Sequence, residues 1–327
     1  MRRRVSQYVF IIICLLFLLC PVLRAQGVSD KEAAKDLAVE KVKDRVLDDN
    51  AYRQKLSEII SKQEEGEEYK SEVDAYMRYM PMSSLRDQPG KISVIHSAAE
   101  YNYLFKAFKK IPVQVGFGAG YINLNKNEAV PVSLPTKLTG FSFGAQATFP
   151  CFNVDNAYLR FGVTPSFEGE DWQIRSSNFS IPMLALAIYQ PMEKLTLVGG
   201  FLFTPGTEDS FVGIGGLIYT PTDKLSFNLI PPRPTITYQL TKIISLFLEG
   251  NLFNNEYKVS KDGIKGKSLT YNEWDVGGGI NLTVNKSIDI SLSAGNMFNR
   301  YLKYSDSLGK VDIKNGPYMQ CRVEITF

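Results

Sequence analysis

Few side chains in this sequence could do chemistry. Beyond residue 25 there is one histidine, His96, and there are two cysteines, Cys151 and Cys321. A Ser–His–acid hydrolase would need the histidine as its base. Ser97 adjoins it, but neighbouring residues of a strand face opposite ways. Glu100 shares the face of His96, yet four strand residues span about 13 Å, too far for an orienting hydrogen bond. A partner from another strand stays open; the plainer reading is a histidine facing an interior or its rim. One His and two distant Cys have no metal-ligand spacing, so no metal is expected. A Cys151–Cys321 disulfide would need close approach of two Cα atoms that the sequence gives no reason to bring together. The glycines of Gly213–Gly216 lie inside a strand pattern with no helix after them, so they make no phosphate loop. No cofactor, catalytic residue or nucleic-acid partner is expected, and the protein is not read as an enzyme.

What remains is a set of charges that alternate with apolar residues. In the last run, Met319, Cys321, Val323, Ile325 and Phe327 point one way, and Gln320, Arg322, Glu324 and Thr326 the other. An apolar face opposite one holding Arg and Glu suits a wall between lipid and an aqueous lumen. Trp274, Val276, Ile280 and Leu282 alternate in the same way with Glu273, Asp275, Asn281 and Thr283, as do Leu246, Leu248 and Leu252 with Ser245, Glu249 and Asn251. Extended to the other runs, this phase points Glu100, Arg160, Glu249, Glu273, Asp275, Asp289, Arg322 and Glu324 into the lumen. Charges so placed must pair across the interior or line water. Six acids against two bases would favour cations or neutral polar solutes, provided no strand slips by a residue.

The elements that position these residues fall into three blocks. Residues 1–25 carry four Arg, no acid and an apolar run from Val9 to Leu19, ending at Ala25. This is the layout of a secretory signal peptide, with the run shorter than a spanning helix needs. Residues 26–90 hold 11 basic and 15 acidic groups. Ser29 to Glu32 reads as a capping box. Narrow apolar stripes follow, the last at Tyr69, Val73, Met77 and Met80, predicting a charged helical periplasmic arm. Such an arm could stay solvated, plug a pore or dock on a periplasmic partner.

From 91 to 327, thirteen alternating runs are separated by turn residues. Short connections at 191–194, 221–224, 241–243 and 284–286 alternate with longer polar ones at 124–137, 169–178, 259–268 and 305–315. Short turns on one side and long loops on the other are the pattern of an outer-membrane barrel. Thirteen strands cannot return both chain ends to one side. Either a strand before Lys91 is hidden, near residues 76–84, or one of these runs is not a full strand. The weakest are 225–231 and 234–240, around Pro231, Pro232 and Pro234, which cannot donate ladder bonds. The expectation is an all-β membrane fold, an antiparallel transmembrane barrel of about 12 strands, with 10 and 14 as alternatives.

Three features weigh against a soluble β-sandwich: the leader, the loop alternation and the C-terminal aromatic. The tail Val323, Ile325 and Phe327 resembles the assembly signal of bacterial outer-membrane barrels. That likeness implies contact with the barrel assembly machinery and with outer-membrane lipid. Gly216-Leu217-Ile218-Tyr219-Thr220-Pro221, Lys224-Leu225-Ser226-Phe227, Pro231-Pro232-Arg233-Pro234, Asn255-Glu256-Tyr257, Gly277–Gly279 after Trp274-Asp275 and Asn299-Arg300-Tyr301 together resemble a domain-of-unknown-function family of outer-membrane barrels common in the Bacteroidetes. The resemblance spans about residues 90–327 and implies fold and location, with no catalytic residue. Two functions are open: a channel or transporter for a small polar or amphipathic solute, or a structural barrel whose arm engages a periplasmic partner.

Overall fold

The computed structural model describes residues 69–327 apart from 108–110, 152–153, 206–209, 262–263 and 306–308. The leader and the arm up to residue 68 lie outside the described residues. Fourteen strands form the fold. They are β1 (Tyr69–Ser84), β2 (Lys91–Ala107), β3 (Ile111–Lys126), β4 (Lys137–Pro150) and β5 in two pieces (Ala157–Val163 and Ser166–Gly169). Next come β6 in two pieces (Phe179–Ser180 and Met183–Met192), β7 (Leu195–Phe203), β8 (Phe211–Thr222), β9 (Leu225–Asn228) and β10 (Thr235–Gln239). The last four are β11 (Ile244–Lys261), β12 (Ile264–Asn285), β13 (Ile288–Tyr304) and β14 in two pieces (Lys310–Ile313 and Gly316–Thr326). Each pairs antiparallel with the next, and β14 pairs with β1 from Glu72↔Thr326 to Tyr79↔Met319, closing a barrel.

Closure leaves no free edge around the turn-side half of the wall, so backbone groups there can sit in lipid. The period of two then sorts the side chains. On β12, Trp274 and Val276 face out at 50% and 60% exposure while Glu273 and Asp275 are buried. On β14, Met319 and Phe327 face out, and Gln320 and Glu324 are buried. Phe117, Phe143, Phe161, Tyr189, Phe201 and Tyr219 continue this apolar, aromatic outer surface around the ring. An apolar outside around a polar inside, on an even number of antiparallel strands, places the protein in the outer membrane.

Three sequence expectations need correction. The run expected as the last helix of the arm is β1, so the barrel begins at Tyr69 and not at Lys91. Its apolar residues satisfy a helical stripe and an alternating strand alike. The strand prevails because both edges are hydrogen-bonded, one to β2 next in the chain and one to β14 at its far end. The hidden strand makes 14 and not 12, which settles the parity of the chain ends. Finally, 259–268 is not a long loop: β11 and β12 run on as a tall hairpin to Lys261 and from Ile264.

Wall height is uneven. Strands β1–β5 and β11–β14 are tall, whereas β9 and β10 have four and five residues. Between the loop-side ends of the tall strands packs an apolar core that includes Met80, Ile92, Leu124, Leu138, Leu269, Tyr271, Leu302 and Ile313, all essentially inaccessible. The end of β5 reaches β11 through a parallel bridge, Gly169↔Lys258. Below that bridge the ladder is incomplete. Leu229 N donates to Leu217 O at 2.8 Å, Gly250 N to Pro234 O at 2.8 Å and Leu252 N to Pro232 O at 3.0 Å. Beyond them, among the described residues, Phe211–Gly215 of β8 has no backbone partner on the side facing β11. Pro231, Pro232 and Pro234 cap the short β9–β10 hairpin there, and proline cannot extend a ladder as a donor.

Candidate functional site: a lumen part packed and part open

Arg78 of β1 anchors the packed part. Its Nη1 bonds Asp275 Oδ2 and lies 3.5 Å from Glu273 Oε1, and its Nε donates to Gln320 Oε1 at 2.8 Å. The guanidinium also lies over the Tyr318 ring, 4.6 Å from its centroid. Tyr271 donates its hydroxyl to Glu273 Oε2 at 2.5 Å, and Arg300 Nε lies 3.9 Å from the same oxygen. Asn251 Nδ2 donates to Asp275 Oδ2 at 3.0 Å. All the charged members are buried, so each charge depends on its partners in place of water. Gly277 makes room for the phenol: a Cβ there would come within 2.2 Å of Tyr318 Oη.

The eight charges read from the sequence all lie on the interior face, in different surroundings. Glu273 and Asp275 belong to the cluster around Arg78. Glu249 accepts from Ser293 Oγ at 2.9 Å and lies 3.8 Å from Arg233 Nη2. Arg160 Nε donates to Thr148 Oγ1 at 3.1 Å. Towards the turn side, Arg322 makes a two-pronged contact with Asp74, at 2.7 and 2.5 Å. Thr283 Oγ1 donates to Asp289 Oδ1 at 2.5 Å, and buried Glu324 stands opposite both Asp74 and Asp289. Glu100 is exposed on the interior side. Val323, Ile325 and Phe327 face outward with the apolar belt.

Sequence reasoning missed Arg78 and Arg300. Arg78 fell within the region read as helix. Arg300 sits on the outward phase of its strand until Asn299, at φ 47°, and an offset in the β12–β13 register swap the parity and turn it inward. These two cations neutralise much of the acid excess that the sequence suggested. Asn299 itself was the one local hint, since Asn tolerates positive φ.

His96 is buried. Its Nε2 lies 3.0 Å from Tyr76 Oη, and its ring meets Tyr76 and Phe253 edge-on at 5.2 and 5.1 Å. Ser97 points to the other face and bonds Tyr121 O. Cys151 and Cys321 are not joined in a disulfide. Among the described residues no cluster of His, Cys, Asp or Glu could hold a metal ion.

The open part is a cavity of about 240 Å³ against β2–β6. Glu100, Asn102, Gln114, Ser142 and Gln146 give it a polar side and Leu184 an apolar one. Gln146 Nε2 donates to Gln114 Oε1 at 3.0 Å. Glycine seats one of these groups: a Cβ on Gly116 would come within 2.4 Å of Asn102 Oδ1 and push the amide from its place on the cavity wall. Beyond Leu184 the interior face of β6–β8 is apolar, with Leu186, Ile188, Val198, Leu202 and Ile214.

No known family profile matches the sequence, and no curated protein does. Solved structures do resemble the fold. An outer-membrane channel from Pseudomonas putida F1 is 11% identical with a TM-score of 0.45, over 80% of this chain and 97% of that one. A Pseudomonas aeruginosa FadL homologue is 8% identical with a TM-score of 0.41, over 80% and 90%. A deletion mutant of the TodX monoaromatic hydrocarbon channel is 7% identical with a TM-score of 0.38, over 82% and 93%. At these values the functional reading rests on this chain's own residues.

Proposed function

We propose that the protein is an outer-membrane channel for a small polar or amphipathic solute. The observation that carries this reading is the interior cavity, with amides, hydroxyls and Glu100 on one side, Leu184 on the other and Leu186 and Leu202 beyond it. A structural barrel has no need of interior space kept free of side chains, whereas a solute site does. The test is liposome swelling and single-channel recording with purified protein. Sugar-sized solutes should permeate; absence of flux from both the full chain and a form lacking residues 26–68 would overturn the channel.

A second reading is favoured by the packed loop-side half: a structural or binding barrel whose arm, residues 26–68, engages a periplasmic partner. Photocrosslinking from the arm in cells tests it, and crosslinks confined to the barrel itself would sink it. In either case the tail Val323, Ile325 and Phe327 is read as the signal for the barrel assembly machinery. The likeness to a family of unassigned outer-membrane barrels fits both readings.

A further inference from the structure

The geometry points to a sideways passage that joins the cavity to the outer leaflet between β8 and β11. It would carry a solute with one alkyl chain and a neutral, hydroxylated head. This deepens the channel reading and rests on it.

Three observations converge. The first is in the backbone. β8 pairs with β7 over its whole upper half, but Phe211, Gly213 and Gly215 direct their other backbone groups at the gap, and none of these groups has a partner among the described residues. The gap is bounded below by the proline hairpin of β9 and β10 and above by the Gly169–Lys258 bridge. Unpaired strand groups are not tolerated against hydrocarbon; they belong where an opening lets water or a polar solute reach them.

The second is on the outer surface. Gly213 and Gly215 both face outward beside the unpaired edge, and nothing lies within 4 Å of where a Cβ would stand on either. The lipid-facing wall therefore carries no side chain at Gly213 and Gly215, leaving a shallow groove beside Phe201 and Phe211.

The third is inside. One row of cross-strand pairs leads from the cavity to the edge: Gln146 opposite Gly162, Gly162 opposite Leu184, Leu184 opposite Leu202, and Leu202 opposite Val212. It begins at amides and ends at Val212, 45% exposed at the gap. The polar end offers mainly amide and hydroxyl groups, which suit a hydroxyl-bearing head, and the apolar row suits an alkyl chain. The axial route past the tall strands is filled by the Arg78 cluster and the apolar core. The incomplete wall remains as the way through.

The test uses the full chain in vesicles containing an NBD-labelled dodecyl glucoside, with dithionite bleaching from outside. In protein-free vesicles the inner half of the probe stays protected. Wild-type protein should abolish that protection. Gly213→Trp with Gly215→Trp should slow bleaching by roughly tenfold or more, because pore dimensions set passage. Ala119→Trp, on the outer face of β3 between Phe117 and Tyr121 and several strands from the gap, should match wild type. Heat-dependent gel mobility checks that each variant folds. If the wild type bleaches and the double variant bleaches equally fast, the sideways passage is overturned while the channel reading stands. The passage is likewise overturned if sugars permeate but the alkyl glucoside does not. If neither moves, both readings fall. Efficient disulfide crosslinking of two Gly213→Cys chains in the membrane would overturn the passage in favour of an edge covered by a second copy.

Discussion

Arg78 holds together the most demanding part of the interior. It neutralises Glu273 and Asp275, bonds Gln320 and covers the Tyr318 ring. Removing one partner of a buried ion cluster strands the others. Arg78→Met should therefore cost about 3–5 kcal/mol of barrel stability, read by urea unfolding in vesicles. Adding Glu273→Gln and Asp275→Asn to Arg78→Met should restore most of it, because no uncompensated charge remains. Gly277→Ala tests packing at the same place. The new methyl group must displace the Tyr318 phenol, so the variant should lose about 1–3 kcal/mol in the same assay. Glu273 and Asp275 could be read from alternation, since each sits between outward apolar neighbours. Arg78 and Arg300 could not. The first depends on which element its run joins, and the second on one left-handed residue at Asn299.

At the scale of elements, β1 is the instructive case. Read alone, Tyr69 to Met80 satisfies a helical stripe, and nothing local rejects it. Its state is decided by the two strands that hydrogen-bond it on both sides, one of them at the far end of the chain. Deleting residues 26–68 should thus leave a heat-modifiable barrel, because the ring closes without them. Deleting 69–84 should abolish it, because β2 and β14 would be left with open edges in lipid. A reading of 26–90 as a dispensable arm predicts that both deletions fold. At the other end, removing Phe327 should slow insertion in cells while leaving refolded stability nearly unchanged, checked by pulse-chase and by unfolding. Strands with strict alternation, such as β12 and β14, were legible. So was the weakness of β9 and β10, whose prolines forbid long ladders. The tall β11–β12 hairpin was not, because Lys258 to Lys267 looks like a polar loop, whereas Lys258, Val259 and Lys261 pair with Ser268, Lys267 and Ile264.

For the whole molecule, the alternation of short turns and long connections fixes which side is which. In a background with Cys151→Ser and Cys321→Ser, Arg86→Cys in the β1–β2 connection should react with an impermeant maleimide on intact cells. Asp223→Cys in the β8–β9 turn should react only after permeabilisation. The reverse pattern would invert the barrel and move the sideways passage to the inner leaflet.

The sequence by itself determined the kind of solvent on each side of the wall. Alternation of period two survives any error in strand boundaries, so an apolar outside and a charged inside could be read from Met319 to Phe327 alone. Only the tertiary structure decided how many strands close the ring, which charges neutralise one another and where the wall stays open. Those depend on pairings between residues as distant in the chain as Glu72 and Thr326. The closure of β1 on β14, the pairing of Arg78 with Asp275 and the unpaired edge of β8 each belong to two or more strands at once, and no local pattern encodes them.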